Sequence, residues 1–193
     1  MNRAREAAYA LFGAYRLAHL DPSGLQHFNA TAQGFWRSFL AALIVAPGYA
    51  ILVGLELGEA PDAASLDWGG IALAQAVFYA ISWVAFPLAM HFLTEWMDRR
   101  DAYIRYIVAY NWAAVLQMGV MLPAAALQAM IPGNAGGLIL LPAWAAVTFY
   151  QWYIARTALR IGGAAAAGVV GVDLALALAI AWLAMKVRNG GFF

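Results

Sequence analysis

The chain has 193 residues, of which 65% are hydrophobic and 11% charged, with a formal net charge of +1 and no cysteine. A soluble domain carries about 25% charged residues, so this deficit points to several membrane spans in one integral-membrane domain. The small net charge excludes a strongly basic nucleic-acid face, and the lack of cysteine removes disulfides, thiolate nucleophiles and cysteine-based metal sites.

Residues Asn2 to Leu20 are expected to form an amphipathic helix, because Ala4, Ala8, Leu11, Tyr15 and Ala18 recur at three- and four-residue steps. Arg3, Arg5 and Arg16 lie off that stripe, and Arg16 interrupts the apolar run, which does not fit a cleaved signal peptide. The preferred reading is a helix lying in the membrane interface, the alternative a helix packed on the protein's own cytoplasmic face. Asp21-Pro22-Ser23-Gly24 reads as a turn, with Asp21 as a cap and Pro22 at a first helical position. Residues 1–34 thus form a cytoplasmic interfacial region and 35–193 an all-α domain of five transmembrane helices.

The first span is predicted over Phe35 to Leu57, entered through Phe35, Trp36 and Arg37, with Pro47-Gly48 expected to kink it. An acidic loop follows, carrying Glu56, Glu59, Asp62 and Asp67 and no Lys or Arg. The second span, Gly70 to Leu93, contains Pro87 and places Gln75, Tyr79, Ser82 and Phe86 on one face. Between His91 and Arg105 the connection is charged, with Glu95–Arg99 and Asp101–Arg105 at the i,i+4 spacing of helical ion pairs. His91 and Glu95 share a helix face, but a metal site needs a third strong ligand, so no metal or other cofactor is expected.

The third span, Tyr103 to Met130, carries Tyr103, Tyr106, Tyr110, Gln117, Met121 and Gln128 on one stripe. After an uncharged turn from Ile131 to Gly137, the fourth span, Leu138 to Leu159, groups Trp144, Thr148 and Gln151. The fifth runs from Ala164 to Met185 and holds a single acid, Asp173. About 20 apolar residues match a ~30 Å hydrocarbon core, so each of these segments is long enough to cross it.

Arg3, Arg5, Arg16, Arg37, Arg99, Arg100, Arg105, Arg156 and Arg160 all fall on one side of this arrangement. The positive-inside rule makes that side the cytoplasm. Five spans then leave the C-terminus outside, where Lys186 and Arg188 run mildly against the rule. The prevalence of arginine and alanine points to a bacterial inner membrane.

Asp173 lies ~14 Å along its helix from the cytoplasmic end, a depth at which a carboxylate is costly without a partner. Gln151, Asn111, Gln117 and Ser82 fall at similar levels, with Tyr110 beside Asn111. Two roles are open: a proton- or cation-handling site, or an interhelical hydrogen bond that fixes packing; the second is favoured. Gly163, Ala167 and Gly171 follow a small-xxx-small spacing, beside Ala164 and Gly168, and are expected to pack against another helix of the same chain rather than a second subunit. No G-x-S-x-G, phosphate loop, H-E-x-x-H or dinucleotide fingerprint occurs, so no enzymatic activity is expected.

Tyr106-Ile107-Val108-Ala109-Tyr110-Asn111-Trp112 through Pro123, then Trp152 to Arg160, then the small-residue entry Gly162 to Gly171, resemble the Yip family. These are five-span membrane proteins named for interaction with Ypt/Rab GTPases, with bacterial members. Pro47-Gly48-Tyr49 is loosely similar to a Gly-Tyr element of the eukaryotic members. The Asp-Leu-Tyr-Gly-Pro signature of some of them is absent, and GTPase binding is not carried over. The resemblance implies five spans and a cytoplasmic N-terminus. It makes a non-enzymatic scaffold or accessory subunit, meeting lipid and a membrane-protein partner or another copy of itself, the leading expectation. A small proton- or ion-coupled transporter or channel component using Asp173 is the alternative.

Overall fold

The computed structural model describes residues 3–58, 67–131 and 137–188, and every element among them is helical. The order is α1 (Arg3–Ala18), a 3-10 helix (Pro22–His27), α2 (Ala32–Ser38), α3 (Leu40–Gly58), α4 (Trp68–Trp96), a 3-10 turn (Arg100–Ala102), α5 (Tyr103–Ala129), α6 (Gly137–Leu159) and α7 (Gly163–Arg188). Five segments are long and apolar enough to cross a membrane: Ala32–Gly58, Trp68–Trp96, Arg100–Ala129, Gly137–Leu159 and Gly163–Val187. That is the architecture of a multi-pass membrane protein. Asn2, Glu59, Asp62 and most of the expected Ile131–Gly137 turn lie outside the described residues.

α5 is the hub. It packs most extensively on α6 and α3, and also meets α1 and α2. α7 closes the other side by packing on α4 and α6. Its inward stripe is Ala166, Val169, Val170, Asp173 and Leu176, buried or half-buried at helical spacing. One end of the bundle carries Arg37, Arg99, Arg156 and Arg160 and is the arginine end; the opposite, far end carries Glu56, Trp68 and Met185.

α1 packs on α5 and α6, but through a face the sequence pattern does not mark. The buried residues are Glu6, Ala10, Gly13, Ala14 and Leu17. Ala4, Ala8, Tyr15 and Ala18 point outward and Leu11 is half-buried, which corrects the expected stripe. Small residues win the inner face because the helix must come close. A Cβ on Gly13 would stand 2.7 Å from the Gly24 carbonyl oxygen, and one on Gly24 would stand 2.5 Å from that of Gly13. Tyr150 of α6 donates to the Ala14 carbonyl at 2.7 Å, and Tyr153 donates to that of Leu20 at 2.7 Å. The outward face carries Tyr9, Phe12 and Tyr15.

An ion pair ties this segment to the first span. Arg37 donates to the buried Glu6 carboxylate at 2.5 Å and Asn29 donates to its other oxygen at 2.7 Å. Burial works against the charged form of Glu6, but the Asn29 and Arg37 hydrogen bonds and the Arg37 charge outweigh it. The carboxyl is therefore held below its ordinary pKa. Asp21 caps the first 3-10 helix as expected, accepting from the Ser23 amide at 2.9 Å, and Pro22 occupies its first turn.

Three local expectations change. The first span, expected to be one helix, is interrupted at Phe39, between α2 and α3; Pro47 lies inside α3, and Gly48 packs directly against Met118. Glu95 pairs with Arg100 at 3.2 Å rather than with Arg99. Helix α4 ends at Trp96 and Asp98 takes a positive φ of 57°, so the i,i+4 register no longer applies beyond that point. Arg105 does not pair with Asp101 but donates twice to the Ala158 carbonyl, at 2.6 and 3.2 Å, at the last turn of α6. An orphan carbonyl at a helix C-terminus is a natural acceptor for a cation.

Candidate functional site

Asp173 sits where the bundle changes character. It lies three residues beyond Val170, the last buried residue of α7. Facing it are Tyr110, in the packed part of α5, and Phe86, the first buried residue of α4. The Tyr110 hydroxyl donates to Asp173 Oδ1 at 2.8 Å. Gln151 lines the same pocket beside the carboxyl. Ser82, Trp83, Trp144 and Thr148 complete a pocket of about 260 Å³.

Of the polar residues singled out by depth, the structure brings together Asp173, Tyr110, Gln151 and Ser82. It separates the other two. Asn111 is fully buried one helical step round α5, where it donates to Ser38 Oγ at 2.8 Å. Ser38 in turn donates to the Phe35 carbonyl at 2.6 Å. Asn111 therefore braces the interruption between α2 and α3, and depth alone does not reveal which face it takes. Its Oδ1 has no partner among the described residues. Gln117 lines a different cavity, of about 480 Å³, with Ala18, Leu116, Val147 and Tyr150, and its buried amide nitrogen is likewise unpaired there.

Trp83 is the aromatic pocket residue that the sequence pattern overlooks, along with aliphatic lining such as Val147, Leu174 and Ile180. The i,i+3 step to Phe86 puts the two rings on neighbouring positions of α4, and that spacing is the available signal. Phe86 and Tyr110 are themselves in contact, with ring centroids 4.5 Å apart. Among the described residues, no Lys, Arg or His lines the pocket.

A larger space adjoins it. About 670 Å³ lies between α3, α4, α6 and α7, walled by Tyr49, Glu56, Gln75, Phe78, Trp182 and Met185 among others. Ser82, Trp144, Ala177 and Ile180 line both spaces. The two spaces therefore adjoin, the larger lying toward Glu56 at the far end and the smaller at Asp173. The α3–α4 side of the larger space is held by Tyr49 donating to Gln75 Oε1 at 2.9 Å and Tyr79 donating to the Ala42 carbonyl at 2.7 Å. Gln75 and Tyr79 thus brace that side, while Ser82 and Phe86 on the same face of α4 reach the pocket.

Beyond Gly163, the small-residue ridge of α7 is not packed internally, contrary to expectation. Gly163 is covered by Trp152, whose indole donates to the Gly163 carbonyl at 2.9 Å. Ala164, Ala167, Gly168 and Gly171 are exposed, and a Cβ on Gly168 or Gly171 would meet nothing within 4 Å. α7 uses its valine stripe to bind α4 and α6, which turns the ridge outward. Among the described residues, no three His, Asp or Glu side chains converge as a metal-binding group.

No family model, no curated protein and no solved structure matches the chain.

Proposed function

We propose that the chain is a small transporter or channel component of a bacterial inner membrane, with its N-terminus in the cytoplasm and its C-terminus outside. The single observation that carries this reading is the pocket at Asp173 with a larger space adjoining it toward Glu56, which the reading joins into one cleft. An interhelical hydrogen bond that merely fixes packing needs no cavity beside it. Here the acid faces about 260 Å³ of open volume that adjoins a larger vestibule. An acid at membrane depth that faces a cavity rather than lipid or a counter-ion marks an ion or substrate path. The arginine-rich end faces the cytoplasm by the positive-inside rule, so the cleft opens outward and its floor of Phe86, Tyr106 and Tyr110 closes the inner side. In this reading the protein carries out no covalent chemistry.

The chain's lack of cysteine makes the test clean. Gln75→Cys, Ser82→Cys and Val170→Cys, each made singly, are exposed to a membrane-impermeant thiol reagent in spheroplasts. The thiols at positions 75 and 82 are expected to label from outside, and the one at position 170 to stay unreacted. Labelling at none of the three, or only from the cytoplasmic face, removes the reading.

A second reading rests on the outward ridge of α7. A Yip-like scaffold or accessory subunit would use Ala164, Ala167, Gly168 and Gly171 for close approach by a helix of a membrane partner or a second copy. Stoichiometric co-purification with another membrane protein in mild detergent, together with a Ser82→Cys variant that stays unlabelled, favours it over transport.

A further inference from the structure

We infer that the Asp173 pocket binds a small organic cation of the quaternary-ammonium type. This rests on the outward-open cleft proposed above and names what that cleft takes.

Three features of the pocket converge on this class. Asp173 brings a carboxyl with no Lys, Arg or His lining its cavity, so any negative charge there is uncompensated by the lining. Its hydrogen-bond partner, the Tyr110 hydroxyl at 2.8 Å, orients the carboxyl but supplies no positive charge, and neither does the Gln151 side chain that lines the same pocket. Around the acid stand four aromatic rings, Trp83, Phe86, Tyr110 and Trp144. Ring faces attract cations, most strongly those that have shed their water, and quaternary ammonium groups are weakly hydrated to begin with. A divalent metal ion would instead call for more than one carboxylate, whereas Asp173 is the one acid in the lining and no three His, Asp or Glu converge among the described residues; an anion would be repelled by Asp173.

Size and field agree with that class. The space of about 260 Å³ beside Asp173 is enough for a tetramethylammonium or choline headgroup. The mouth of the cleft carries Glu56, and the stretch from Ser38 to Asp98 contains no Lys or Arg at all. Lys186 sits nearby, its ammonium 5.6 Å from the centre of the Trp182 ring that lines the vestibule. That contact offsets part of the acidic charge at the rim and leaves the floor acid untouched.

The experiment uses the full chain in proteoliposomes or spheroplasts, with Ser82→Cys supplying the sole thiol and tetramethylammonium and choline as probes. The thiol at position 82 is expected to react faster with a trimethylammonium methanethiosulfonate than with its sulfonate counterpart. Choline and tetramethylammonium are expected to protect it, and sodium at the same concentration is not. Adding Asp173→Asn should weaken that protection by at least about thirtyfold. Adding Trp144→Leu, which keeps the acid, should weaken it about fivefold. Outside labelling at position 82 without protection, or with protection unchanged by Asp173→Asn, overturns the cation assignment and leaves the cleft standing. Failure of outside reagents to reach that thiol overturns both. If Asp173→Asn does not accumulate, Trp144→Leu decides: undiminished protection in that variant sinks the assignment.

Discussion

From Tyr103 to Ala113, α5 buries seven side chains on all of its faces, whereas from Ala114 to Ala129 it buries none. The same division runs through α4 and α7, although α3 still buries Leu57 near its far end. α4 is buried only at Phe86, Pro87, Met90 and Thr94, and α7 only at Ala166, Val169 and Val170. The arginine end is close-packed because α1 and α2 wrap α5 there in addition to the spanning helices. At the far end only the apolar spans remain, and they splay around a cleft. In water that splay would be unfavourable. In hydrocarbon, lipid chains solvate exposed Leu and Val as well as another helix does, so an open far end is stable. Stability thus resides at one end and the candidate site at the border between the two.

The sharpest way to break this comparison is to remove one large side chain from each half. Tyr106→Ala empties a fully enclosed position beside Phe86 and should cost about 3–5 kcal/mol of unfolding free energy in detergent. Trp182→Ala removes a ring that is half exposed at the far end and should cost less than about 1 kcal/mol. Equal losses, measured by thermal or denaturant unfolding in the same detergent, would mean that the far end is packed in solution.

The wrapping segment gives a second test, with a pH dependence. Glu6→Gln leaves Arg37 without its carboxylate partner and should destabilise the docking of α1 by about 2 kcal/mol. Because the folded-state pKa of Glu6 lies below its ordinary value, the unfolded chain binds the proton more readily. The stabilisation is therefore fully present above the ordinary carboxylate pKa and is lost as pH falls through the lower folded-state value. Proteolysis between α1 and α2 should accelerate as pH is lowered through that window in the parent chain, while Glu6→Gln should be fast and show no such step. A parent chain with no acid sensitivity at these peptide bonds would place the anchor elsewhere.

Much of the fold is legible in the sequence because the spans are long and their apolar character is not interrupted. Their predicted ends fall within a few residues of the observed helices, including Ala164–Met185 against Gly163–Arg188. Depth is legible too, since helical rise is constant, and it groups Asp173, Tyr110, Gln151 and Ser82, which the pocket brings together. The direction each side chain faces is not. Asn111 and Gln117 share that depth but look into other spaces, and only the choice of neighbours for α5 decides this. α1 misleads for a related reason. Its contact face is made of Ala10, Gly13 and Ala14, suited to close approach, and hydropathy registers small residues weakly. The expected stripe of Ala4, Ala8, Leu11, Tyr15 and Ala18 is just as rich in alanine, so the apolar pattern does not separate the inner face from the outer. The interruption at Phe39 is invisible because it is set by Ser38 and Asn111, which are 73 residues apart in sequence.

The smallest expected effect separates a lipid-facing ridge from an occupied one. Gly171 lies in the interior of α7 with open space where its Cβ would be. Gly171→Ala should leave the isolated chain unchanged or stabilise it by up to about 1 kcal/mol, since glycine is the poorer helix former. The same methyl group placed between two closely approaching helices would separate their backbones and weaken the association. Comparing unfolding of the purified chain with cross-linking or co-purification from native membranes therefore tells the two apart. Unchanged stability with unchanged association leaves the ridge to lipid. Unchanged stability with lost association identifies a helix seated on α7, and would move the functional emphasis from the cleft to that partner.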